Sequence, residues 1–574
     1  MQDRWTRLIG VSLLFLSLVA QPVIAYTFRA QTWDDSAITM AFARTFADTG
    51  KVEGTPGSGV VEGYSTTLWM LVLAGTAKIA TTPAALLAMA KTLTCLLTLG
   101  NILLIRAIIR SWGQATLADL TAATYGLLTL TLQESINGME DPMMLSLMLI
   151  AVLCLRGTGA KSRAVFLLSS SLFLLCRHEA FLLMAPMLLL VNPLRRRVTS
   201  AAVWLAVLIA STVIRWRYFG SVLPNTITAK RHFPYSAPTM RLEMMRHLIP
   251  AFTLVHGLDI LFLVVLYAAF VRRQYLYAAL KRIHTADFWE RLGHAISRAD
   301  DLKVALLLAA VGVCLSLAIG YNWGPPNREI YVALPFLIYL ILRLTFRLLN
   351  TRLWQRQAAI LLLIPIVYLT VHNIAILNSR YAPLYQPLMT VQNVASLVPP
   401  VEQIRRAAGL QELTIATPDV GGVMLFGEQL RVIDLGLLCD RRLAQQGYAI
   451  APRYILEERT PEIIGIHQQW TELTGLEKIP DFYRNYRVMI LDRQRFFVRR
   501  DVFDRIASQT VTRSFGRNGH PLPEDDLVPS GETIYPGFYS YTYPGFYSSG
   551  DYKINASFGT YATILTAKLP INKN

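Results

Sequence analysis

Two adjacent carboxylates, Asp34 and Asp35, stand a few residues beyond the first apolar run of the chain, Gly10 to Thr27. Like charges side by side repel. Such a pair is costly unless one member holds a raised pKa and works as a general base, or the two share a cation. Residues 36–48 have helical spacing (Ile38, Phe42, Phe46), and Asp35-Ser36 can cap the start of that helix. A helix cap, a base and a divalent-cation site all remain open from these residues alone, and no other cofactor is called for.

The elements that must position this pair are membrane helices. The chain has 574 residues, of which 53% are apolar and 16% charged, with mean hydropathy +0.38. So little polar surface cannot cover the several cores a soluble chain of this length would build, which excludes a wholly soluble protein. The first run follows Arg4 and Arg7 and has some features of a cleaved leader, with Ala25 near its end. A retained span is the expectation, because further spans follow. Apolar runs recur at about 66–80, 84–105, 115–131, 139–155, 163–175, 179–191, 198–214, 248–270, 303–320, 330–348 and 357–373. Several are shorter than the ~20 residues a spanning helix needs, so roughly 11 to 13 spans are expected.

The net charge of +17 is unevenly placed. Up to about residue 375 there are 34 Lys+Arg against 18 Asp+Glu, and beyond it 21 against 20. Arg195 to Arg197, the set Arg272, Arg273, Lys281 and Arg282, and the set Arg343, Arg347, Arg352 and Arg356 read as cytoplasmic loops. The segments 215–247 and 320–329, and everything after 375, then fall outside. The excess marks topology and contact with anionic membrane lipids, and no nucleic-acid partner is expected. Five cysteines without regular spacing indicate neither a disulfide framework nor a zinc site.

The organisation expected is a membrane domain over 1–375, with a first outer loop at 28–65, and a soluble domain over 376–574. In the latter, Leu413 to Ala416 and Leu430 to Asp434 read as strands and Val401 to Ala408 as a helix, so a small α/β domain precedes a β-rich aromatic tail. Tyr-Pro-Gly-Phe-Tyr-Ser occurs at 535–540 and again at 543–548, which suits structural turns or a binding rim.

Beyond Asp34-Asp35, the outer loop carries Phe42 to Arg44, Val61-Glu62-Gly63-Tyr64-Ser65 and Leu68-Trp69. Further on come Asn137-Gly138-Met139-Glu140, Arg177-His178-Glu179, the run Tyr218 to Thr226 with Lys230, Asn322-Trp323 with Arg328, Asp419-Val420-Gly421, and Val432 to Asp440. In this order the elements resemble the GT-C superfamily, multi-span glycosyltransferases that use polyprenyl-phosphate sugars. They are most similar to the group of the mycobacterial terminal arabinofuranosyltransferases. His178 and Asn322 depart from that pattern, and the resemblance ends near residue 470.

The resemblance implies a multi-span α-helical membrane protein of GT-C type with a C-terminal periplasmic α/β domain. It implies transfer of a sugar, with arabinofuranose the most specific version, to a periplasmic glycan, lipid or protein acceptor at a bacterial cytoplasmic membrane. Asp34 or Asp35 is then the base of a direct, inverting displacement. Arg177, Lys230, Arg328 and His178 are candidates for the donor phosphate, and Glu62, Tyr64, Glu140, Asn225 and Trp323 for sugar or acceptor. Plainer uses exist: Arg177 and Lys230 can snorkel or pair with Glu179 or Glu140, and His178 can fill a polar contact. The competing class is a transporter or lipid-linked sugar flippase, which predicts polar breaks in mid-membrane helices.

Overall fold

The computed structural model describes residues 4–28, 32–177, 179–232, 258–274, 277, 290, 300–319, 328–349, 355, 357–362, 390–467, 469–491, 494–507 and 565–566. The expected domain boundary at 375, the repeated aromatic segment at 535–548, His178 and Trp323 lie outside these residues. The same holds for the Arg328 side chain.

Each apolar run that falls on described residues is helical. The order is α1 (Arg4–Thr27), α2 (Asp34–Thr49), α3 (Thr67–Ala77), α4 (Pro83–Ser111), α5 (Ala115–Leu127), α6 (Thr129–Ile136) and α7 (Asp141–Cys154). Then follow α8 (Ala160–Leu174), α9 (Ala180–Met187), α10 (Leu194–Phe219), the short α11 (Asn225–Ala229), α12 (Leu258–Val271), α13 (Asp300–Ile319) and α14 (Leu334–Leu348). Among the described residues three helices, α1, α4 and α10, are long and apolar enough to cross a bilayer, and the pair α6–α7, bent by 112°, adds at most a fourth. The expected 11 to 13 spans are therefore not all separate, full-length helices. At Asn137 to Glu140 the chain breaks, with Gly138 at φ +69°, a conformation that costs a side chain about 1 kcal/mol or more. Helix α10 leaves Leu205, Ile209 and Val213 exposed, as suits a face solvated by acyl chains rather than water.

The C-terminal module begins, in the described residues, with α15 (Val391–Ala395) and α16 (Val398–Ala407). It then runs through β1 (Leu413–Thr417), α17 (Gly421–Phe426), β2 (Leu430–Asp434), α18 (Arg441–Gln446), β3 (Ile463–Ile464), β4 (Tyr486–Leu491), β5 (Gln494–Arg499), α19 (Arg500–Ala507) and β6 (Leu565–Thr566). Both expected strands are present, and the expected helix at 401–408 starts three residues earlier. The sheet order is β2-β1-β3-β5-β4-β6. Strands β2 and β3 both run parallel to β1, pairing Ile415 with Val432 and with Ile463, while β5 pairs antiparallel with β3 and β4. Because β1 leads to β2 on one side and β3 lies on the other, the chain reverses its winding between β1 and β3. The crevice at the carboxyl ends of such strands is where open α/β sheets place ligands.

Candidate functional site

Helix α2 begins immediately at the paired carboxylates. The residue before it, Trp33, makes no side-chain cap, and Ser36 donates its hydroxyl to the Trp33 carbonyl at 2.7 Å. The expected Asp35-Ser36 cap is thus not formed, because Asp34 is already the first helical residue. The Asp34 carboxylate instead reaches across to the C-terminal module: Oδ2 accepts from Gly421 N–H at 2.9 Å and Oδ1 from Gly422 N–H at 2.7 Å. Burial and the neighbouring Asp419 push its pKa well above the usual carboxylate range, against the pull of the two N–H donors. Asp35 is half-buried beside it. The two carboxylates therefore stand in different environments.

The loop at the carboxyl end of β1 meets this helix start directly, and those after β2 and β3 are linked to it through Gly63 and Asp419. Asp419, after β1, accepts a 2.6 Å hydrogen bond from the His467 ring, after β3, so that pair spans the crevice between the two strands. After β2, Asp434 is buried and accepts from Gly436 and Cys439 N–H, both at 2.6 Å. The Cys439 thiol, pushed up by burial first and then by Asp434 and Asp35, lies 3.8 Å from the Gly63 carbonyl. Gly63 needs its missing side chain, since a Cβ there would meet Cys439 and Phe42 at 2.8 Å.

The remaining predicted residues divide into two groups. Glu62 is buried and forms a two-pronged pair with Arg215 at 2.6 and 3.3 Å, with Thr67 at 3.2 Å. Its carboxyl is raised by burial although Arg215 pulls it down. Tyr64 packs edge-on against Phe42, ring centres 5.3 Å apart, and burial raises its phenol. Asn225 donates to the carbonyls of Leu437, Leu438 and Asp440 at 3.3, 2.7 and 3.2 Å. Together with Asp34 and Asp35, these surround the strand-end loops.

Glu140 and Arg177 form a second cluster at the α6–α7 break. Arg177 is buried and pairs with Glu140 at 3.3 Å and Glu179 at 2.5 Å. Trp69 ties this cluster to the first outer loop by donating to the Gly138 carbonyl at 3.0 Å. Lys230 sits half-buried at the end of α11, one residue from the last turn. Sequence reasoning missed Arg215 and His467 as members of the site. It also missed the use of Gly421-Gly422, although consecutive glycines after Asp-Val were a signal that something approaches the backbone closely. Among the described residues, no group of three or more His, Cys, Asp or Glu side chains is arranged to hold a metal ion.

No known family profile matches the chain, and no curated protein matches it. Solved structures to which the chain is similar include the oligosaccharyltransferase AglB from Archaeoglobus fulgidus, in complex with an inhibitory peptide and a dolichol-phosphate. It is 12% identical at TM-score 0.47, over 87% of this chain and 75% of that one. A crystal structure of an Archaeoglobus fulgidus oligosaccharyltransferase tethered with an acceptor peptide is 13% identical at TM-score 0.43 over 74% of this chain, which spans only 64% of that one. ArnT from Cupriavidus metallidurans, bound to undecaprenyl phosphate, is 13% identical at TM-score 0.42, over 87% of this chain and 98% of that one. Likeness at this level carries no argument about fold or activity.

Proposed function

We propose that the chain is a GT-C-type membrane glycosyltransferase, which moves a sugar from a polyprenyl-phosphate donor to a hydroxyl of a glycan, lipid or protein acceptor. The proposed setting is the outer side of a bacterial cytoplasmic membrane, and arabinofuranose is the most specific donor sugar the sequence motifs support. One observation carries the reading: a half-buried carboxylate, Asp35, next to a buried one, at the mouth of a sheet crevice and one helix start beyond a membrane helix. A lipid-linked donor keeps its chain in the bilayer and presents its sugar phosphate at that level.

Asp35 takes the acceptor hydroxyl's proton as its oxygen attacks the anomeric carbon, and the bond to the donor phosphate breaks on the opposite face. The electron pair leaves with polyprenyl phosphate, and the sugar inverts. Lys230 offsets the phosphate charge as it develops. Arg177, flanked by two carboxylates, has less charge to offer and more to do in holding the α6–α7 break. Glu62, clasped by Arg215, and Tyr64, packed on Phe42, shape the outer loop that presents the sugar.

Purified protein offered a panel of polyprenyl-phosphate pentoses and hexoses should transfer or hydrolyse at least one. Asp35→Asn should lower the rate by about 10²–10⁴-fold, the usual worth of a general base. A folded wild-type protein inert towards every donor would remove the reading. Among the described residues, the 112° break between α6 and α7 favours a transporter or flippase. That alternative predicts lipid-linked sugar crossing vesicle membranes with no covalent transfer.

A further inference from the structure

Asp34 uses both carboxylate oxygens on backbone groups 387 and 388 residues away. The fit admits nothing larger than glycine on the other side. A Cβ at 421 would lie 2.1 Å from the Asp34 backbone oxygen and 2.7 Å from its carboxylate, and one at 422 would lie 2.5 Å from the Val391 carbonyl and the Ala395 nitrogen. The same seam is stitched on both sides. Trp33 bridges to Thr390, Val391 N–H donates to the Thr32 carbonyl at 2.9 Å, and Arg44 reaches the Leu425 carbonyl at 3.2 Å and Glu428 at 2.6 Å.

A buried carboxylate with both oxygens engaged is poorly placed to take a proton from an incoming hydroxyl. What it holds is the segment 419–422, which carries Asp419 and, through it, His467 at 2.6 Å. That segment is the lip of the β1–β3 crevice, and its anchor, Asp34, is the neighbour of Asp35 at the start of α2.

We propose that Asp34 is a positioning residue, not the base: its two hydrogen bonds to Gly421 and Gly422 hold the crevice lip of the C-terminal module to the start of α2, which carries Asp35, so the acceptor binds between the two regions. This rests on the glycosyltransferase reading for its kinetic consequence, though not for its structural one. The two carboxylates of the pair then have separate tasks, Asp35 in the chemistry and Asp34 in setting acceptor affinity.

Two variants test it. Asp34→Asn keeps the shape but turns an NH₂ towards one of the glycine N–H groups, donor against donor. Gly421→Ala leaves the Asp34 carboxylate intact and pushes its partner away. With the donor saturating, both should raise the acceptor KM by about tenfold or more, with the loss falling on KM rather than on kcat. In both, amide hydrogen exchange over 417–426 should accelerate to a similar degree. A loss confined to kcat in Asp34→Asn, with acceptor KM and exchange unchanged, overturns the proposal and returns Asp34 to the chemistry. So does a Gly421→Ala protein that behaves as wild type in both measurements. Should Asp34→Asn fail to fold, Gly421→Ala alone decides by exchange and KM. Hydrogen exchange needs no turnover, so wild-type protein inert towards every donor would sink the glycosyltransferase reading, while unchanged exchange would sink the clasp.

Discussion

Asp34 and Asp434 are the same chemical device used at two ranges. Each is a buried carboxylate whose two oxygens accept two backbone N–H groups. For Asp434 the donors are two and five residues on, within one loop. For Asp34 they belong to the other end of the protein. The local version is compact enough to force Leu437 into the left-handed region at φ +71°, a conformation that costs a branched side chain about 1–2 kcal/mol. The long-range version transfers the strain to its partner, where only glycine fits. A carboxylate with near donors therefore shapes a loop, whereas one with distant donors sets how two regions sit on each other.

That difference predicts unequal penalties. Asp34→Ala should be the costlier, at about 3 kcal/mol, because two buried N–H groups lose their acceptor in a seam that cannot relax without parting. Thermal unfolding in detergent, followed together with protease cleavage in the 390–426 stretch, should show the C-terminal module released before the helices melt. Asp434→Ala should cost about 2 kcal/mol, since a loop can turn its freed N–H groups towards water, and it should leave the protease pattern of the helical part unaltered. Equal penalties and equal cleavage patterns would mean that range makes no difference.

A third effect reads the local version alone, through pH. Burial pushes the Asp434 carboxyl up to about 7, against the pull of its two donors. A raised acid binds a proton more readily in the folded chain than in the unfolded one, where its value is near 3.8. Its contribution to stability is complete below that lower value and is lost as pH rises through about 7. The slope approaches 1.4 kcal/mol per pH unit for one proton. The melting temperature of wild type should therefore fall relative to Asp434→Asn between pH 4 and pH 7, and the difference should flatten above that. A difference that is flat across the window would place the Asp434 carboxyl at its ordinary value.

The two ranges also explain how much could be read from the chain. Helices were legible wherever an apolar run was long, and the strands 413–417 and 430–434 showed in their alternation. The number of spans was not, because the runs at 115–131 and 139–155 read as two separate spans, whereas the short helices on either side of Asn137 to Glu140, bent by 112°, count together as at most one. The clue there is Gly138, a residue with many other uses. In the site, Asp34-Asp35 announced itself through its repulsion. Nothing near it in sequence identifies Gly421 and Gly422 as its partners, and nothing near Glu62 identifies Arg215, 153 residues away. Electrostatics marks a residue that needs a partner; the fold alone supplies which one. The acceptors of Asn225 were hidden for the same reason, since backbone carbonyls carry no sequence signal at all.

The smallest effect isolates cap from clasp within one residue. Asp440 accepts from Arg442 and Leu443 N–H at 3.0 and 2.9 Å, capping α18, and its second oxygen accepts from the Tyr454 hydroxyl at 2.9 Å. Its backbone carbonyl separately accepts from Asn225. Asp440→Ala removes the first function and keeps the second, so it should cost about 1 kcal/mol, the usual worth of an N-cap. Asn225→Ala does the reverse: it leaves α18 capped and frees three carbonyls at the seam. Hydrogen exchange should then quicken at 441–446 in the first variant and at 434–440 in the second. If Asp440→Ala instead loosens 225–230, the cap and the clasp are one unit, and the local range would no longer be independent of the long one.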